Sequence, residues 1–215
     1  AIAKHYADRG ARVVITGRDA ARTAGVAAGI GSSVRGIALD VAEPETAEKA
    51  LADIGHVDHL ALVAVERDYN SAREYDIAKA RRIVTMKLIG YTEVAHTLYP
   101  RMGAGASAVL FGGLASERPY PGSTSITTVN GAVSSLIRTL AVELAPVRFN
   151  AIHPGIISDS PAWKDKKEAI ANIEKRTPGG RLATTEDVVG AVEFLFANRG
   201  VNGINLVIDG GWLLT

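Results

Sequence analysis

Cysteine is absent from this 215-residue chain. Its absence excludes disulfide bonds, thiolate catalysis and cysteine-ligated metals. Long apolar runs are missing too, because no stretch approaches the roughly 18 residues that a membrane-spanning helix needs. No signal peptide opens the chain. We therefore expect a cytoplasmic protein without a membrane partner.

An excess of one charge sign is also missing. The chain has 24 Lys and Arg against 23 Asp and Glu, a net charge of +1, and both signs are spread along it. A nucleic-acid-binding domain usually shows a basic patch or stripe, so we expect no nucleic-acid partner. The hydrophobic share of 47% is typical of a globular protein. No linker, repeat or low-complexity tract divides residues 1–215, which indicates a single domain.

Short apolar runs rich in β-branched residues alternate with longer segments of helical period. Because these runs are apolar on consecutive positions, they predict strands buried on both faces. Alternating strands and helices form βαβ units, and therefore an α/β fold with a mostly parallel sheet and helices on both faces. The predicted strands are Arg12–Thr16, Val34–Asp40, Leu60–Val65, Ala108–Phe111, Arg148–Ile152 and Asn205–Ile208.

Two helices are especially clear in the pattern. From Ile126 to Leu144, apolar residues recur at spacings of three and four, which predicts a long helix with one buried face. Near the C-terminus, Thr184 or Thr185 can cap a helix whose first turn is acidic, and Gly200 can stop it.

Five segments, at the right order and spacing, carry a family resemblance. They are Val13–Asp19, Leu39–Val41, Leu140–Pro146, Arg148–Gly155, and Gly203 with Asp209–Gly211. Together they resemble the short-chain dehydrogenases/reductases over essentially the whole chain. The resemblance implies a Rossmann-type, doubly wound fold and an NAD(P)-linked oxidoreductase acting on a carbonyl or alcohol substrate. It also implies a homo-oligomer, dimer or tetramer, and the apolar tail Trp212–Leu214 is a candidate for burial by a partner.

The resemblance places the family's catalytic positions on residues of other types. The Tyr and Lys of the family's Tyr-x-x-x-Lys pair fall on Ile126 and Asn130, and its Ser falls on Gly113. In the family, the Tyr exchanges a proton with the substrate oxygen, the Lys lowers the pKa of that phenol, and the Ser binds the same oxygen. A fourth position, an Asn, falls on Lys87, which we interpret as solvated or salt-bridged. We therefore expect a degenerate active site.

Cofactor-binding positions are better retained. The resemblance places the position that binds the ribose hydroxyls on Gly17, and Arg18 beside it is suited to the 2′-phosphate of NADP. Asp40, followed by Val41, falls near the adenine, although a turn or cap role for Asp40 is equally open. NADP is therefore the expected cofactor.

Three departures argue against tight cofactor binding. Pro154 and Gly155 are retained near the nicotinamide, but Asp159 stands where the family has a threonine. Val63–Val65 replaces an Asn-Ala-Gly turn. The family's glycine-rich phosphate turn has no counterpart, since Ala1–Lys4 already resembles the interior of the first helix.

Gly29–Gly31 does not replace that turn, because it follows a predicted helix and precedes a strand, the reverse of what a phosphate turn requires. Losing a central strand of about five residues would leave backbone groups unpaired on two neighbours. Each such group costs about 1–3 kcal/mol if it is buried. We therefore expect roughly twenty further residues upstream. The alternative is that the neighbouring strands close up and pair directly.

Other candidates for chemistry are weaker. Tyr75 and Lys79 form a literal Tyr-x-x-x-Lys but fall between a predicted strand and the next helix, far from the expected position of the nicotinamide. Ser116 and Tyr120 follow a strand on the substrate side, and we interpret them as a loop hydroxyl and a rim aromatic. The histidines show no metal-ligand spacing, so no metal is expected. Three functions stay open: an NADP-dependent oxidoreductase with an unusual proton donor, a non-catalytic nucleotide- or metabolite-binding relative, or a structural subunit of an assembly.

Overall fold

Six parallel strands form the centre of the protein in a computed structural model that describes residues 1–215. They are β1 (Val13–Gly17), β2 (Val34–Ala38), β3 (Val57–Leu62), β4 (Met102–Phe111), β5 (Arg148–Pro154) and β6 (Asn205–Ile208). The helices between them are α1 (Ile2–Ala7), α2 (Ala20–Ile30), α3 (Ala47–Ala50), α4 (Ile77–Val84), α5 (Tyr91–Leu98), α6 (Thr124–Glu143), α7 (Lys167–Glu174) and α8 (Thr185–Ala197). The strand–helix alternation confirms the α/β, Rossmann-type fold.

The strands form two separate pieces rather than one continuous sheet. β1 pairs with β2, and β3, β4, β5 and β6 pair in that order, all in parallel. No ladder joins β1 to β3. The expected alternative, in which these two strands close up and pair directly, is therefore wrong.

Four of the six strand predictions are confirmed to within two residues at each end, but the fourth strand begins at Met102 instead of Ala108, and the third is shifted. It was expected at Leu60–Val65 and lies at Val57–Leu62. The polar, exposed Asp58 and His59 lie within it, so its first half has no continuous apolar pattern. Pairing with β4, from Met102 to Leu110, is what fixes these residues in the strand. Val63–Val65 follows the strand end.

Both clear helices form as the pattern predicts. α6 buries the predicted stripe, including Val129, Val133 and Ile137, each with no measurable exposure. α8 begins with a capping box, in which Thr184 and Asp187 each accept a hydrogen bond from the other's backbone N–H. It ends at Ala197, before the predicted stop at Gly200.

Helices cover the larger sheet on both faces. One apolar cluster joins α3, α5 and α6 to β3, β4 and β5, and a second joins α8 and α1 to the opposite face. No helix of the structure is both long and apolar enough to cross a bilayer. The carboxyl ends of parallel strands meet at one edge of the sheet, which is where ligands bind in open α/β sheets.

Candidate functional site

A cleft separates the open edges of β1 and β3. It encloses about 660 Å³ and is lined mainly by apolar side chains, among them Ile2 and Tyr6 of α1 and Leu60 of β3. Val13 N–H donates to Ser33 O, and Gly17 O accepts from Leu39 N–H, so alternate residues of β1 pair with β2. The intervening Val14 and Thr16 therefore direct their backbone N–H and C=O groups into the cleft. Another parallel strand lying in the cleft would form hydrogen bonds with these backbone groups.

Four charged side chains surround the carboxyl-end mouth of this cleft; we call Arg18, Asp40, Glu66 and Arg82 the charged cluster. Arg82 Nη2 lies 2.9 Å from Asp40 Oδ2, and Arg82 Nε lies 3.1 Å from Glu66 Oε2. Arg18 Nη1 is 3.6 Å from the same Glu66 oxygen. Two cations and two anions thus balance within one connected group.

Asp40 is held as an anion by this cluster. Burial alone would raise its pKa, but the Ala42 N–H bond to Oδ1 and the Arg82 guanidinium on Oδ2 outweigh burial and lower it. The same hydrogen bonds from Asp40 and Glu66 raise the pKa of Arg82. Asp40 therefore combines the expected turn role with a position at the cleft mouth.

Gly17 and Val41, two of the predicted cofactor-binding positions, pack tightly against neighbouring elements. A Cβ on Gly17 would lie 2.5 Å from Thr23 Oγ1, so glycine at this position makes room for α2 rather than for a ligand. Val41 packs its main chain against Gly90, where no side chain would fit. Of the predicted adenine-end residues, the structure brings Arg18 and Asp40 to the cluster and gives Gly17 a packing role.

The predicted nicotinamide-end residues lie at the ends of β5 and β6. Pro154 ends β5, and Gly155 N–H continues the ladder to Ile208 O at 2.9 Å. A Cβ on Gly155 would lie 2.8 Å from Asp209 Cβ, so this glycine is needed for packing. Asp159 Oδ1 accepts hydrogen bonds from both the N–H and the hydroxyl of Thr185, at the start of α8. Its carboxylate is therefore committed to a helix end.

The catalytic positions surround the turn after β4. Gly113 N–H donates to His153 Nδ1 at 3.2 Å, and His153 Nε2 lies 2.8 Å from Asn205 Oδ1, so the hydrogen is on Nε2. A Cβ on Gly113 would lie only 2.8 Å from Asn130 Nδ2. The serine position and the lysine position are thus sterically coupled: glycine at 113 makes room for the amide of Asn130.

Asn130 is the one polar side chain left free at this point. It is 5% exposed, and its side-chain amide has no hydrogen-bond partner within the protein, although its main-chain oxygen accepts from Ser134 Oγ. Ile126, one turn earlier on α6, is 9% exposed and packs in an apolar cluster with Met86 and Ala115. The arrangement can hold a polar atom but offers no proton donor at position 126.

Lys87 contradicts the interpretation of a solvated or salt-bridged side chain. It lies in a π-helical turn, Thr85–Gly90, and is 2% exposed. Its Nζ lies 2.5 Å from Phe111 O and 3.1 Å from the Tyr91 hydroxyl, with no acidic partner. Burial lowers the pKa of Lys87 to about 7. The correction follows from tertiary packing, because the helix turns this residue toward the end of β4.

Tyr91 completes this buried pair. Its hydroxyl donates to Ala64 O at 2.9 Å, and burial raises the pKa of the phenol. Through these hydrogen bonds, Lys87 and Tyr91 connect Ala64, which follows β3, to Phe111 at the end of β4. A phenol whose pKa is raised is poorly matched to proton exchange near neutral pH.

Of the weaker candidates, only Ser116 contacts the predicted catalytic positions. Tyr75 is 53% exposed and precedes α4, where Lys79 Nζ lies 3.8 Å from Asp76. Ser116 Oγ donates to Gly113 O at 3.4 Å, and Tyr120 is 45% exposed. Their positions agree with a loop hydroxyl and a rim aromatic.

Sequence reasoning missed three residues that the structure brings into the site: Glu66, Arg82 and His153. Arg82 is 42 residues from Asp40, so no local spacing connects them. His153 precedes Pro154 in one of the five segments that carry the resemblance. Its position at the end of a predicted buried strand was the only sequence signal for a role in the site.

Comparisons with known proteins extend over most of the chain. A protein-family model described as Enoyl-(Acyl carrier protein) reductase matches residues 1–213. L-xylulose reductase from Bos taurus is 32% identical over 197 residues, covering 85% of this chain and 78% of that protein. Carbonyl reductase (NADPH) 2 from Sus scrofa is 25% identical over 186 residues, covering 82% and 76%. The structure of a Brucella melitensis protein, described as a glucose/ribitol dehydrogenase, superposes with a TM-score of 0.89 at 27% identity, covering 98% and 90%.

Proposed function

Because the chain belongs to the short-chain dehydrogenase/reductase family, we propose that it is an NADP-linked oxidoreductase acting on a carbonyl or alcohol group of a small molecule. The observation that carries the NADP assignment is the position of Arg18 at the mouth of the cleft, where its side chain is two-thirds exposed and Glu66 Oε2 is its acidic partner at 3.6 Å. A guanidinium forms paired hydrogen bonds to a phosphate, so this residue suits a 2′-phosphate. The names of the bovine and porcine relatives support a carbonyl substrate.

The residues of this chain fit the adenine end of such a cofactor better than the other end. Arg18 and Asp40 supply charge and hydrogen bonds beside an apolar cleft. At the nicotinamide end, Asp159 is bonded to Thr185, and Val65 is 73% exposed where a glycine is expected. We therefore expect binding dominated by the adenosine phosphate.

We further propose that the cleft is filled by one more parallel strand of the same single domain. The open edges of β1 and β3 support this, because Val14 and Thr16 direct backbone groups of β1 into the cleft between them. A right-handed crossover through α1 would then lead from that strand into β1.

NADPH, when bound, supplies a hydride. The chain's own part is to hold the substrate oxygen, and the free amide of Asn130 is the group we assign to this task. Ile126 cannot give a proton, so turnover of an ordinary ketone should be slow by about 10²–10⁴-fold relative to an enzyme with a positioned acid. NADPH binding without any turnover would favour the non-catalytic relative.

Calorimetry tests the proposal on protein from its natural source, with its intact mass measured first. NADPH should bind more tightly than NADH, and Arg18→Ala should remove that preference. Arg35→Ala, an exposed arginine on neighbouring β2, serves as the matched control and should leave it unchanged. A mass above 22.6 kDa would support the additional strand. Equal binding of NADPH and NADH by the unaltered protein would sink the NADP proposal.

The expected self-association stays a prediction. Val142 and Leu214 are 78% and 82% exposed, and they are the kind of apolar side chain that a second subunit would cover. Trp212 is already covered on one face, since the Arg118 guanidinium lies 4.4 Å from its ring centre.

A further inference from the structure

The charged cluster contains one ion pair that is fixed and one that can open. Arg82 is tied to Asp40, whose side chain is 19% exposed and whose other oxygen accepts the Ala42 N–H at 2.9 Å. Its second partner, Glu66, is 36% exposed and belongs to a segment without regular secondary structure. Glu66 can therefore leave while Asp40 keeps the Arg82 guanidinium in place.

Glu66 lies between two guanidinium groups. Its carboxylate is 3.1 Å from Arg82 Nε and 3.6 Å from Arg18 Nη1. Charge-assisted hydrogen bonds from a guanidinium to a phosphate oxygen are about 2.7–2.9 Å long, so a phosphate at this position could bind both groups more closely than the carboxylate does. Both arginines and the carboxylate line the same cleft mouth. The carboxylate thus stands where an anionic ligand group would be bound.

We propose that Arg18 and Arg82 form a two-arginine site for a phosphomonoester, and that Glu66 occupies this site in the free protein as an internal competitor. The inference rests on the proposed NADP-linked function, because it assigns the residues that choose between phosphorylated and unphosphorylated adenosine. A phosphomonoester carries about −1.5 to −2 charges near pH 7 and three strong acceptor oxygens, against one charge and two oxygens for a carboxylate. It can therefore displace Glu66, while an unphosphorylated ribose cannot.

This arrangement has a cost in affinity. The apparent Kd of a site that is free for only part of the time equals its intrinsic Kd divided by the fraction of time that the site is free. Removing the Glu66 charge should therefore tighten binding of the phosphorylated ligand and leave the unphosphorylated ligand unaffected.

The test uses 2′,5′-ADP as the probe and 5′-AMP, which has the same 5′-phosphate but lacks the 2′-phosphate, as its counterpart, in calorimetry on the full chain at low salt. Glu66→Gln should bind 2′,5′-ADP about tenfold more tightly than the unaltered protein, and 5′-AMP equally well. Glu45→Gln, an exposed acid away from the cleft mouth, is the matched control and should change neither affinity. Arg82→Gln, introduced together with Glu66→Gln, should reverse the gain.

Each outcome decides the inference. Unchanged or weaker binding of 2′,5′-ADP by Glu66→Gln overturns it, and so does failure of both proteins to bind the probe. An equal gain for 5′-AMP also overturns it, since Glu66 would then be obstructing the cleft rather than the phosphate. The proposed function fails separately, when the unaltered protein binds NADPH and NADH alike while Glu66→Gln still gains affinity for 2′,5′-ADP.

Discussion

The carboxyl edge of the sheet has two chemically different ends. Over β1 and β3, the charged cluster offers exposed guanidinium groups whose partners are within reach of solvent. Over β4, the catalytic positions are apolar or buried: Ile126 packs among hydrophobic side chains, and Lys87 is 2% exposed. One end presents guanidinium groups at an opening, whereas at the other end Ile126 has no proton to exchange.

The difference shows that binding and proton transfer are separable in this fold. An anion site needs only cations near an opening, and strand ends supply such positions readily. Proton transfer needs a donor within hydrogen-bond reach of one substrate atom and with a suitable pKa. The charged cluster has the cations that the first requirement names, whereas Gly113 and Ile126, two of the predicted catalytic positions, have no side-chain proton to donate.

Installing a proton donor at the apolar end gives the largest expected effect. Gly113→Ser, Ile126→Tyr and Asn130→Lys together should raise NADPH-dependent ketone reduction by about 10²–10⁴-fold. The three changes belong together, because a side chain at 113 would press on Asn130 Nδ2, 2.8 Å from its Cβ. Steady-state rates with a panel of small ketones measure the effect.

Ile126→Tyr alone is the control, and it should gain less because no lysine lowers the pKa of its phenol. A folded triple variant that binds NADPH but is no faster than the unaltered protein would show that the apolar end is not the reaction site.

A smaller effect is expected from the buried amine at the same end. Burial lowers the pKa of Lys87 to about 7 in the folded protein, from an ordinary value of 10.5. Between these values the unfolded chain holds a proton that the folded protein does not, so stability rises with pH. The expected slope approaches 1.4 kcal/mol per pH unit at most. Urea unfolding at pH 7.5, 8.5 and 9.5 should show this slope in the unaltered protein and its loss in Lys87→Met. Parallel slopes would mean that Lys87 stays charged.

A substitution in the charged cluster should have the smallest effect on the free energy of unfolding. Arg82→Gln removes both ion pairs of a side chain that is one-third exposed, and such pairs contribute about 0–1 kcal/mol. Urea unfolding should show a loss in this range at low salt and a smaller one in 0.5 M salt, because ions screen the pairs. A loss well above 1 kcal/mol that salt does not reduce would make Arg82 a structural residue rather than a binding one.

Sequence reasoning predicted the elements whose side chains follow one period. The stripe of α6 and the threonine cap of α8 depend on residues three and four apart, and both form as predicted. β3 was shifted, because its polar first half is held by pairing with β4 and not by its own composition. Local patterns therefore predict elements well where burial is uniform along them.

The site was only partly predictable for the same reason. Arg18 and Asp40 could be assigned from the resemblance, but their partners Arg82 and Glu66 meet them only through the order of the strands. Lys87 was misjudged, because nothing in the local sequence shows that a π-helical turn directs it toward Phe111 O. Distances between elements, rather than residue types, decide these contacts.

The open edges of β1 and β3 also affect how the protein behaves in concentrated solution. Val14 and Val65 are 40% and 73% exposed beside these edges. An unpaired apolar edge is a template for a strand of any other molecule, and proteins normally cover or charge such edges to avoid aggregation. Chains whose cleft is empty should therefore precipitate by edge-to-edge pairing as their concentration rises. The solubility of the protein therefore depends on whether these two strand edges are paired inside the cleft or open to other molecules.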